Sequence, residues 1–542
     1  MNIGRAHLRG WRSFGGQSGL LTVAALGVLT AVVLTAADLS AEAQSAKVEG
    51  DRRLVEAARN KDQQTVRMLL KQRVDVNARA EDGSTALLWA AHWNDLATVD
   101  LLIRAGADVN AANDLRTTPL SQACVNVSPA LVERLLGAGA NPNTPIATGE
   151  TPVMTCAGTG SADAVRTLIA RGADVNAKEP SQLQTALMWA AAERHADVVK
   201  ILISHGADLQ ARTKRGFSAL HFAAREGDID SAQLLLEAGT DINIRSKPAA
   251  PQNEKPAAGA SVYGGGGGGR AGGPSHEASV SAGSTPLLVA TMRAQVPFAL
   301  AMLERGADAN ASDAGLTPLH WAVGTWESGE ANPVFGFTDA MSGIPQREAK
   351  LRLVKALLAR GANPNVPMTQ RPPAFAGGHT DVIGATPFLL ASAAADIEMM
   401  RLLLAAGADP KLATKSNMTP IAAATGVNRV QGESNVTEAQ AFEVVKFLLE
   451  LGVDPKAAVS SGENAIFGAA YRGWNSVVQL LADHGTDVNA ISKSGTTPWR
   501  AAAGQGDRLG GVLFNTHTAE LLVKLGADPT LGKPCMAQTR CR

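Results

Sequence analysis

The stretch from Ser84 to Asp114 reads STALLWAAHWNDLATVDLLIRAGADVNAAND, and variants of it recur along most of the chain. In the first half, successive variants start 33 or 34 residues apart, at Thr85, Thr118, Thr151, Thr185 and Ser218. The pattern resumes at Thr285, Thr317, Thr386, Thr419, Asn464 and Thr497. A fixed period of this length indicates a repeat protein.

Each repeat has the sequence features of two short helices joined by a turn. Thr118-Pro119 suits a helix start, with a hydroxyl N-cap followed by proline where no N–H is needed. Val99, Leu102 and Ile103 recur at helical spacing and predict a second, amphipathic helix, which Gly106 ends in a left-handed turn. A single pair cannot bury its apolar face, whereas stacked pairs can. The predicted fold class is therefore an all-α solenoid.

Two motifs place this pattern in a known family. Thr317 to His320 reads TPLH, and Gly172 to Ala177 reads GADVNA. With these motifs the chain resembles the ankyrin repeat family over roughly residues 50–530, in about twelve repeats. The resemblance implies stacked helix–turn–helix units with hairpin-like turns. It implies a binding role without naming the partner, because ankyrin stacks serve many unrelated binding functions.

The N-terminus has the pattern of a secretory signal peptide. Its three basic residues are Arg5, Arg9 and Arg12. An uncharged, largely apolar run follows from Leu20 to Ala37, and then Ala41-Glu42-Ala43, which predicts cleavage before Gln44. The apolar run is also just long enough to remain as a membrane anchor. We expect a periplasmic or secreted protein, with a membrane-anchored form facing outside the cytoplasm as the alternative.

The remaining chain divides by composition and register. We assign residues 1–43 to the signal peptide or anchor, 44–82 to an N-terminal capping repeat, 83–247 to repeats, 248–282 to a disordered Gly/Pro-rich insertion, 283–530 to repeats with inserted loops at 324–346, 367–383, 426–438 and 504–515, and 531–542 to a tail. Residues 248–282 cannot bury enough apolar surface to fold. We therefore expect the stack to continue past them, with this segment looped out.

Four cysteines follow the predicted cleavage site. Cys124 and Cys156 fall in the first helices of consecutive repeats, where we expect buried free thiols. Cys535 and Cys541 lie in the tail, where an oxidising compartment favours a disulfide that closes a short loop.

The sequence offers no recognisable catalytic, cofactor or metal site. It lacks a Gly-x-Ser-x-Gly turn, a His-Glu-x-x-His helix and paired Cys-x-x-Cys motifs. The resemblance makes His221 and His320, the histidines of the TPLH position, framework residues. Lys and Arg total 50 and balance 50 Asp and Glu, so no basic excess points to nucleic acid. We predict no enzyme, no cofactor and no nucleic-acid partner, with membrane contact only through an uncleaved N-terminus.

Aromatic and charged residues near the ends of the first helices are the candidate contacts for a partner. Trp89, Trp189 and Trp321 occupy one repeat position, which in this family lies near the concave side; they either fill space between helices or anchor a partner. The predicted protein-binding residues are Trp89, His92, Trp93, Trp189, Glu193, Phe217, Arg225 and Glu226. A competing site is the inserted loop that contains Trp326, Phe335 and Phe337.

The pattern as a whole predicts a non-enzymatic scaffold of the cell envelope or extracellular space. It would bind one or more proteins through the concave face of the stack. The alternative is a regulator or inhibitor of a co-exported enzyme, or an enzyme whose site lies unrecognised in the inserted loops.

Overall fold

The computed structural model describes residues 52–246, 283–324, 344, 346–370, 383–427, 436–504 and 514–532. The predicted signal peptide, the 248–282 insertion, most of each inserted loop and the tail beyond residue 532 lie outside these ranges. The chain divides into two compact units, Met1–Ala147 and Thr148–Arg542. We call them the first and second units and describe each by itself.

All regular secondary structure in the described ranges is α-helical. There are 24 helices in twelve pairs, and the described part contains no strand, only an isolated bridge between Arg79 and Thr85. This confirms the all-α repeat fold. We call the odd-numbered member of each pair its first helix and the even-numbered member its second helix.

The described part of the first unit holds three helix pairs. They are α1 (52–59), α2 (Gln63–Lys71), α3 (Ala86–His92), α4 (Leu96–Arg104), α5 (Pro119–Val125) and α6 (Pro129–Gly137). First helix packs on first helix, as α3 does on α5, and α3 and α5 each pack on the second helix of their own pair.

Nine helix pairs lie in the described residues of the second unit. They are α7 (Pro152–Gly158), α8 (Ala162–Ala170), α9 (Ala186–Ala192), α10 (Ala196–Ser204), α11 (Ala219–Glu226), α12 (Ile229–Glu237), α13 (Pro286–Met292), α14 (Val296–Glu304), α15 (Pro318–Val323), α16 (Arg347–Ala359), α17 (Pro387–Ala393), α18 (Ile397–Ala405), α19 (Pro420–Ala424), α20 (Glu438–Glu450), α21 (Ala465–Arg472), α22 (Asn475–Asp483), α23 (Pro498–Ala502) and α24 (Thr516–Lys524). The first helices form one layer, in which each packs on the next from α7 to α23.

The repeated Thr, Ser or Asn is the N-cap of each first helix from α3 onward. These N-caps are Thr85, Thr118, Thr151, Thr185, Ser218, Thr285, Thr317, Thr386, Thr419, Asn464 and Thr497. As the sequence predicts, Thr118 accepts a hydrogen bond from the Ser121 amide and Pro119 takes the first helical position. Gly106, with φ +88°, ends α4 in the left-handed conformation.

The TPLH histidines are framework residues, as the resemblance implies. Both are fully buried. His320 Nδ1 accepts from the Thr317 amide at 3.1 Å, and its Nε2 lies 3.2 Å from the Ala385 carbonyl of the next repeat, to which it donates. His221 makes the same pair of bonds with Ser218 and Ser284. Each ring therefore joins two consecutive repeats.

The asparagine of the GADVNA motif links one repeat to the next. In the first unit, Asn110 Nδ2 donates to the Gly139 carbonyl at 3.2 Å, and Asn110 Oδ1 accepts from the Asn141 amide at 2.7 Å. The arrangement recurs at the motif asparagines Asn77, Asn176, Asn310, Asn365 and Asn489. We call this set of bonds the asparagine ladder. It explains why the turn carries asparagine and not merely any turn-forming residue.

The stack continues across the gap at residues 247–282, as expected from the sequence. Helix α11 packs on α13, and the bond from His221 to Ser284 spans the gap. The ladder also spans it, since Asn243 Oδ1 accepts from the Asp308 amide at 2.8 Å.

The expectation of free thiols at Cys124 and Cys156 was wrong. Both side chains are fully buried, and both are disulfide-bonded. The sequence showed that each lies on a first helix but not which way its sulfur points. The predicted bond between Cys535 and Cys541 concerns residues outside the described ranges and stays a prediction.

Candidate protein-binding surfaces

Five side chains of the first unit form a cluster at the ends of α1 and α3, which we call the aromatic–cation cluster: Arg59, Lys61, Trp89, His92 and Trp93. The His92 ring meets Trp89 edge-on at 5.5 Å and Trp93 at 4.6 Å between ring centroids. Trp93 Nε1 donates to the Arg59 carbonyl at 2.8 Å, yet 40% of the residue remains exposed. The cluster is therefore both ordered and accessible.

Two cations cover the tryptophan faces of this cluster. The Lys61 ammonium lies 4.1 Å from the Trp93 ring centroid, and the Arg59 guanidinium lies 5.1 Å from that of Trp89. Such contacts contribute about 0.5–1 kcal/mol at exposed sites. They also hold the positive charges in place before any partner arrives, which lowers the ordering cost of binding.

An apolar surface continues from this cluster onto the end of α5. Val125 is 55% exposed and Val127 50% exposed. Between them, Asn126 Nδ2 donates to the carbonyls of Ala91 and His92, at 2.8 and 2.9 Å, and so fixes the end of α5 against α3. We call Val125, Val127 and the aromatic–cation cluster together the first-unit surface. Neither valine was among the contact residues predicted from the sequence.

Val127 occupies a backbone conformation that opposes its side chain. Its φ is +52°, in the left-handed region, where a β-branched residue is a genuine outlier. The same turn position is left-handed in other repeats, where it is held by Asn94, Gly160, Arg194 and Ala294, with φ of +52°, +74°, +63° and +56°. The left-handed turn is a regular feature of the repeat, and Val127 differs from the other residues at this position in placing an exposed β-branched side chain there.

In the second unit, the predicted contact residues are less accessible to a partner than those of the first unit. Glu193 is exposed, and Trp189 and Glu226 are half-buried. Phe217 is only 4% exposed and packs on His221 and Phe222, with ring centroids 5.0 and 6.3 Å apart. It offers no surface to a partner, so we remove it from the proposed contacts.

Of the three tryptophans at the shared repeat position, one fills space between helices and two reach the surface. Trp321 is fully buried on α15 and fills space between helices. Trp89 and Trp189 are half-buried and reach the surface. The competing aromatic residues of the 324–346 loop lie outside the described ranges.

Other classes of site find no support in the described part of the chain. Nowhere in it do three or more His, Cys, Asp or Glu side chains come together in a way that could hold a metal ion. None of its helices has both the length and the apolar character that crossing a bilayer requires.

Family models recognise the repeats along most of the chain. The model "Ankyrin repeats (3 copies)" matches residues 23–113, 54–146, 94–179, 120–213, 178–246 and 435–532. The model "Ankyrin repeat" matches residues 314–368 and 383–415. The chain belongs to the ankyrin repeat family. Proteins of this family act in general as protein-binding scaffolds, which makes protein–protein interaction the broad role of this ankyrin repeat chain.

A human protein resembles one part of this ankyrin repeat chain. It is BCL-6 corepressor-like protein 1, which is 36% identical over 72 residues. That stretch is 13% of this chain and 4% of the human protein. The similarity therefore concerns only a small part of the relative's length.

Proposed function

We propose that the protein is an exported, non-enzymatic scaffold that binds a partner protein through the first-unit surface. The observation that carries this proposal is the exposed apolar and aromatic row formed by Trp93, Val125 and the strained Val127. These residues occupy the ends of consecutive first helices. A partner that lies along these ends would therefore contact all three.

The composition of this surface favours a protein partner. Binding energy in protein interfaces concentrates in Trp, Tyr and Arg, surrounded by a polar rim. Here Trp89 is held by ring packing and Trp93 by ring packing and a hydrogen bond, and Arg59 and Lys61 form a cationic rim. The net charge of zero offers no long-range attraction to nucleic acid or to an anionic membrane.

Export is supported by two independent features. The N-terminal sequence has the basic flank, apolar run and small-x-small site of a signal peptide. The buried cysteines Cys124 and Cys156 are disulfide-bonded, which is typical of oxidising compartments outside the cytoplasm. We expect N-terminal sequencing of the periplasmic or secreted form to begin at Gln44. Recovery of cytoplasmic protein that still carries Met1 would contradict export.

Capture of the partner from intact cells tests the binding surface. The informative variants are Trp93→Ala and Val125→Ser, with Met68→Ser as the matched control. Met68 is 50% exposed on second helix α2 of the same unit, so the control removes a similar apolar area from another face. We expect Trp93→Ala to weaken capture by about 2 kcal/mol, which is typical of a hot spot.

The same experiment can contradict the proposal. Because Val125 is 55% exposed, Val125→Ser should reduce capture with little effect on folding, while Met68→Ser should leave capture unchanged. If the two surface variants bind like wild type, or if all three lose binding equally, the first-unit surface is not the contact. Urea unfolding of each variant shows whether any loss comes from folding.

A further inference from the structure

The first-unit surface changes in character from one helix pair to the next. The pairs α1/α2, α3/α4 and α5/α6 carry Lys61, Asn94 and Val127 at one turn position, with left-handed φ of +60°, +52° and +52°. Two residues earlier, at the ends of the first helices, the same pairs carry Arg59, His92 and Val125. All six residues are exposed. The surface is therefore cationic on the first pair, aromatic and polar on the second and apolar on the third.

The two cations of the first pair are held over tryptophan rings of the second. The Lys61 ammonium lies 4.1 Å from the Trp93 ring centroid, and the Arg59 guanidinium 5.1 Å from that of Trp89. Neither cation forms an ion pair with a carboxylate in the described part of the chain. An ammonium carries three N–H donors and a guanidinium five, so donors remain for an outside acceptor.

Two carboxylates of the same unit are engaged in local turns. Asp62 caps α2, where it accepts from the Thr65 amide at 3.0 Å and from the Thr65 hydroxyl at 2.6 Å. Asp82 accepts from the Ser84 amide and hydroxyl, both at 2.9 Å. These two bonds are the main causes of the lowered pKa of Asp82, and the charge of Arg59 is a minor one. The cations are therefore available to a carboxylate from another molecule.

The third pair offers apolar contact within reach of the same short segment. Val125 is 55% and Val127 50% exposed. The Asn126 amide between them already donates to two backbone carbonyls. Neighbouring helices lie about 8–10 Å apart, so the first and third pairs are roughly 20 Å apart. An extended chain covers that distance in about six residues.

We propose that the first-unit surface binds an extended segment of the partner protein that is acidic at one end and apolar at the other. The acidic end lies at Lys61 and Arg59, because a carboxylate only accepts hydrogen bonds and forms strong ones with charged donors. The apolar end lies on Val125 and Val127. The inference rests on the proposed scaffold function and specifies what the partner presents to this surface.

Fluorescein-labelled heptapeptides test this inference by fluorescence anisotropy on the full chain. EESGSLL and LLSGSEE are both used, because either chain direction can place the acidic end on the first pair. The controls, each made in both orders, are QQSGSLL without charge, KKSGSLL with reversed charge and EESGSSS without the apolar end. We expect one of the acidic-apolar peptides to bind at least tenfold more tightly than every control. Its affinity should fall as salt rises, because charges are involved.

Charge reversal locates the acidic end of the bound peptide. Lys61→Glu should weaken binding of the acidic-apolar peptide at least tenfold. It should also create binding of the lysine peptide, a gain that a misfolded variant cannot show. Lys71→Glu makes the same change at an exposed residue of second helix α2 and should leave both affinities unchanged. Glu56 is exposed on α1 one turn before Arg59, so Glu56→Gln removes a repulsion and should tighten binding about twofold.

Several results would overturn the inference. These are no binding of either acidic-apolar peptide, equally tight binding of any control peptide, or equal effects of Lys61→Glu and Lys71→Glu. Recruitment of the protein to phosphatidylglycerol vesicles without peptide binding would also overturn it, by identifying an anionic lipid as the occupant.

The proposed function is judged separately, by capture of the partner from intact cells. If capture depends on Trp93 and Val125 but no peptide shows the expected preference, the scaffold function stands and the acidic partner segment is wrong. If the acidic-apolar peptide binds but capture is independent of Trp93 and Val125, the proposed function fails instead.

Discussion

The ends of the first helices serve different purposes in the two units. In the first unit they expose apolar and aromatic groups, with Trp93 40% and Val125 55% exposed. In the second unit some of these ends bury a charge instead, since Arg225 is 7% and Arg472 9% exposed. Trp93 and Arg472 stand at the same distance from their N-caps, Thr85 and Asn464. Position in the repeat therefore fixes the backbone, while the neighbouring repeat decides whether the side chain reaches a partner.

The asparagine ladder differs between the units in a similar way. In the first unit Asn77 and Asn110 both bond to the following repeat. In the second unit lysine replaces asparagine twice, at Lys411 and Lys456. The Lys456 ammonium lies near Gly485 of the next repeat, where an added Cβ would be 3.3 Å away. Glutamine takes the same position at Gln210, so three junctions of the described second unit lack the motif asparagine.

Acidification should produce the largest difference in stability between the two units. Burial lowers the pKa of His221 and of His320 to about 4 in the second unit, below the 6.5 of the unfolded chain. The unfolded state then binds more protons between these values, so stability is complete above pH 6.5 and falls as the pH drops toward 4. The full loss, reached near pH 4, is about 3 kcal/mol per histidine. In the described part of the first unit, the equivalent positions hold Leu88 and Ser121.

Hydrogen exchange at pH 7 and pH 5 measures this difference, after correction for the intrinsic effect of pH on exchange. Peptides that cover α11 and α15 should lose protection, and peptides that cover α3 and α5 should lose little. A His320→Asn variant should show a smaller pH dependence. Equal losses of protection in both units would show that the buried histidines do not cause the drop in stability at low pH.

Two helical glycines should respond in opposite directions to alanine. A Cβ at Gly468 in α21 would lie 2.5 Å from the Thr425 carbonyl oxygen, a backbone atom, so Gly468→Ala should cost about 2 kcal/mol through overpacking. Gly137, at the end of α6, has nothing within 4 Å. Gly137→Ala should therefore gain up to about 1 kcal/mol of helix propensity. Urea unfolding checks both; a gain at Gly468 would mean that the repeats pack less tightly there.

Relieving the strain at Val127 should stabilise the first unit. Asn tolerates the left-handed conformation, so Val127→Asn should raise the free energy of unfolding by about 1 kcal/mol. The same change should weaken partner capture, because it removes an exposed apolar group. Val125→Ser, at a residue in ordinary helical conformation, is the control that should reduce capture without the gain in stability. An unchanged or lower stability for Val127→Asn would show that the valine is not strained.

Restoring the asparagine ladder should have the smallest effect. Lys456→Asn offers hydrogen bonds to the Gly485 carbonyl and the Asp487 amide, and should stabilise the second unit by about 0.5–1 kcal/mol. The reverse change in the first unit, Asn110→Lys, should destabilise it by a similar amount. Thermal unfolding of the two variants side by side tests this. An Asn110→Lys variant as stable as wild type would show that lysine can replace the asparagine without loss of stability.

The fold was predictable from sequence because its signals are local. N-caps such as Thr118 and turn glycines such as Gly106 act within a few residues, and a repeated period multiplies the signal. Site residues depend on the adjoining repeat instead, which is why Phe217 and Arg225 looked exposed and are buried. Val127 had one detectable signal, a β-branched residue at a turn position where the other described repeats carry Gly, Asn, Ala, Arg or Lys.

Site-specific photo-crosslinking on the first-unit surface tests the central claim most directly. A photoreactive phenylalanine analogue placed at Val125 in intact cells should crosslink to a discrete protein partner. The same analogue at Met68, which is similarly exposed on second helix α2, should not. A partner band from position 125 that disappears with Trp93→Ala would support binding through the first-helix ends. The same band from position 68, or from neither position, would contradict it.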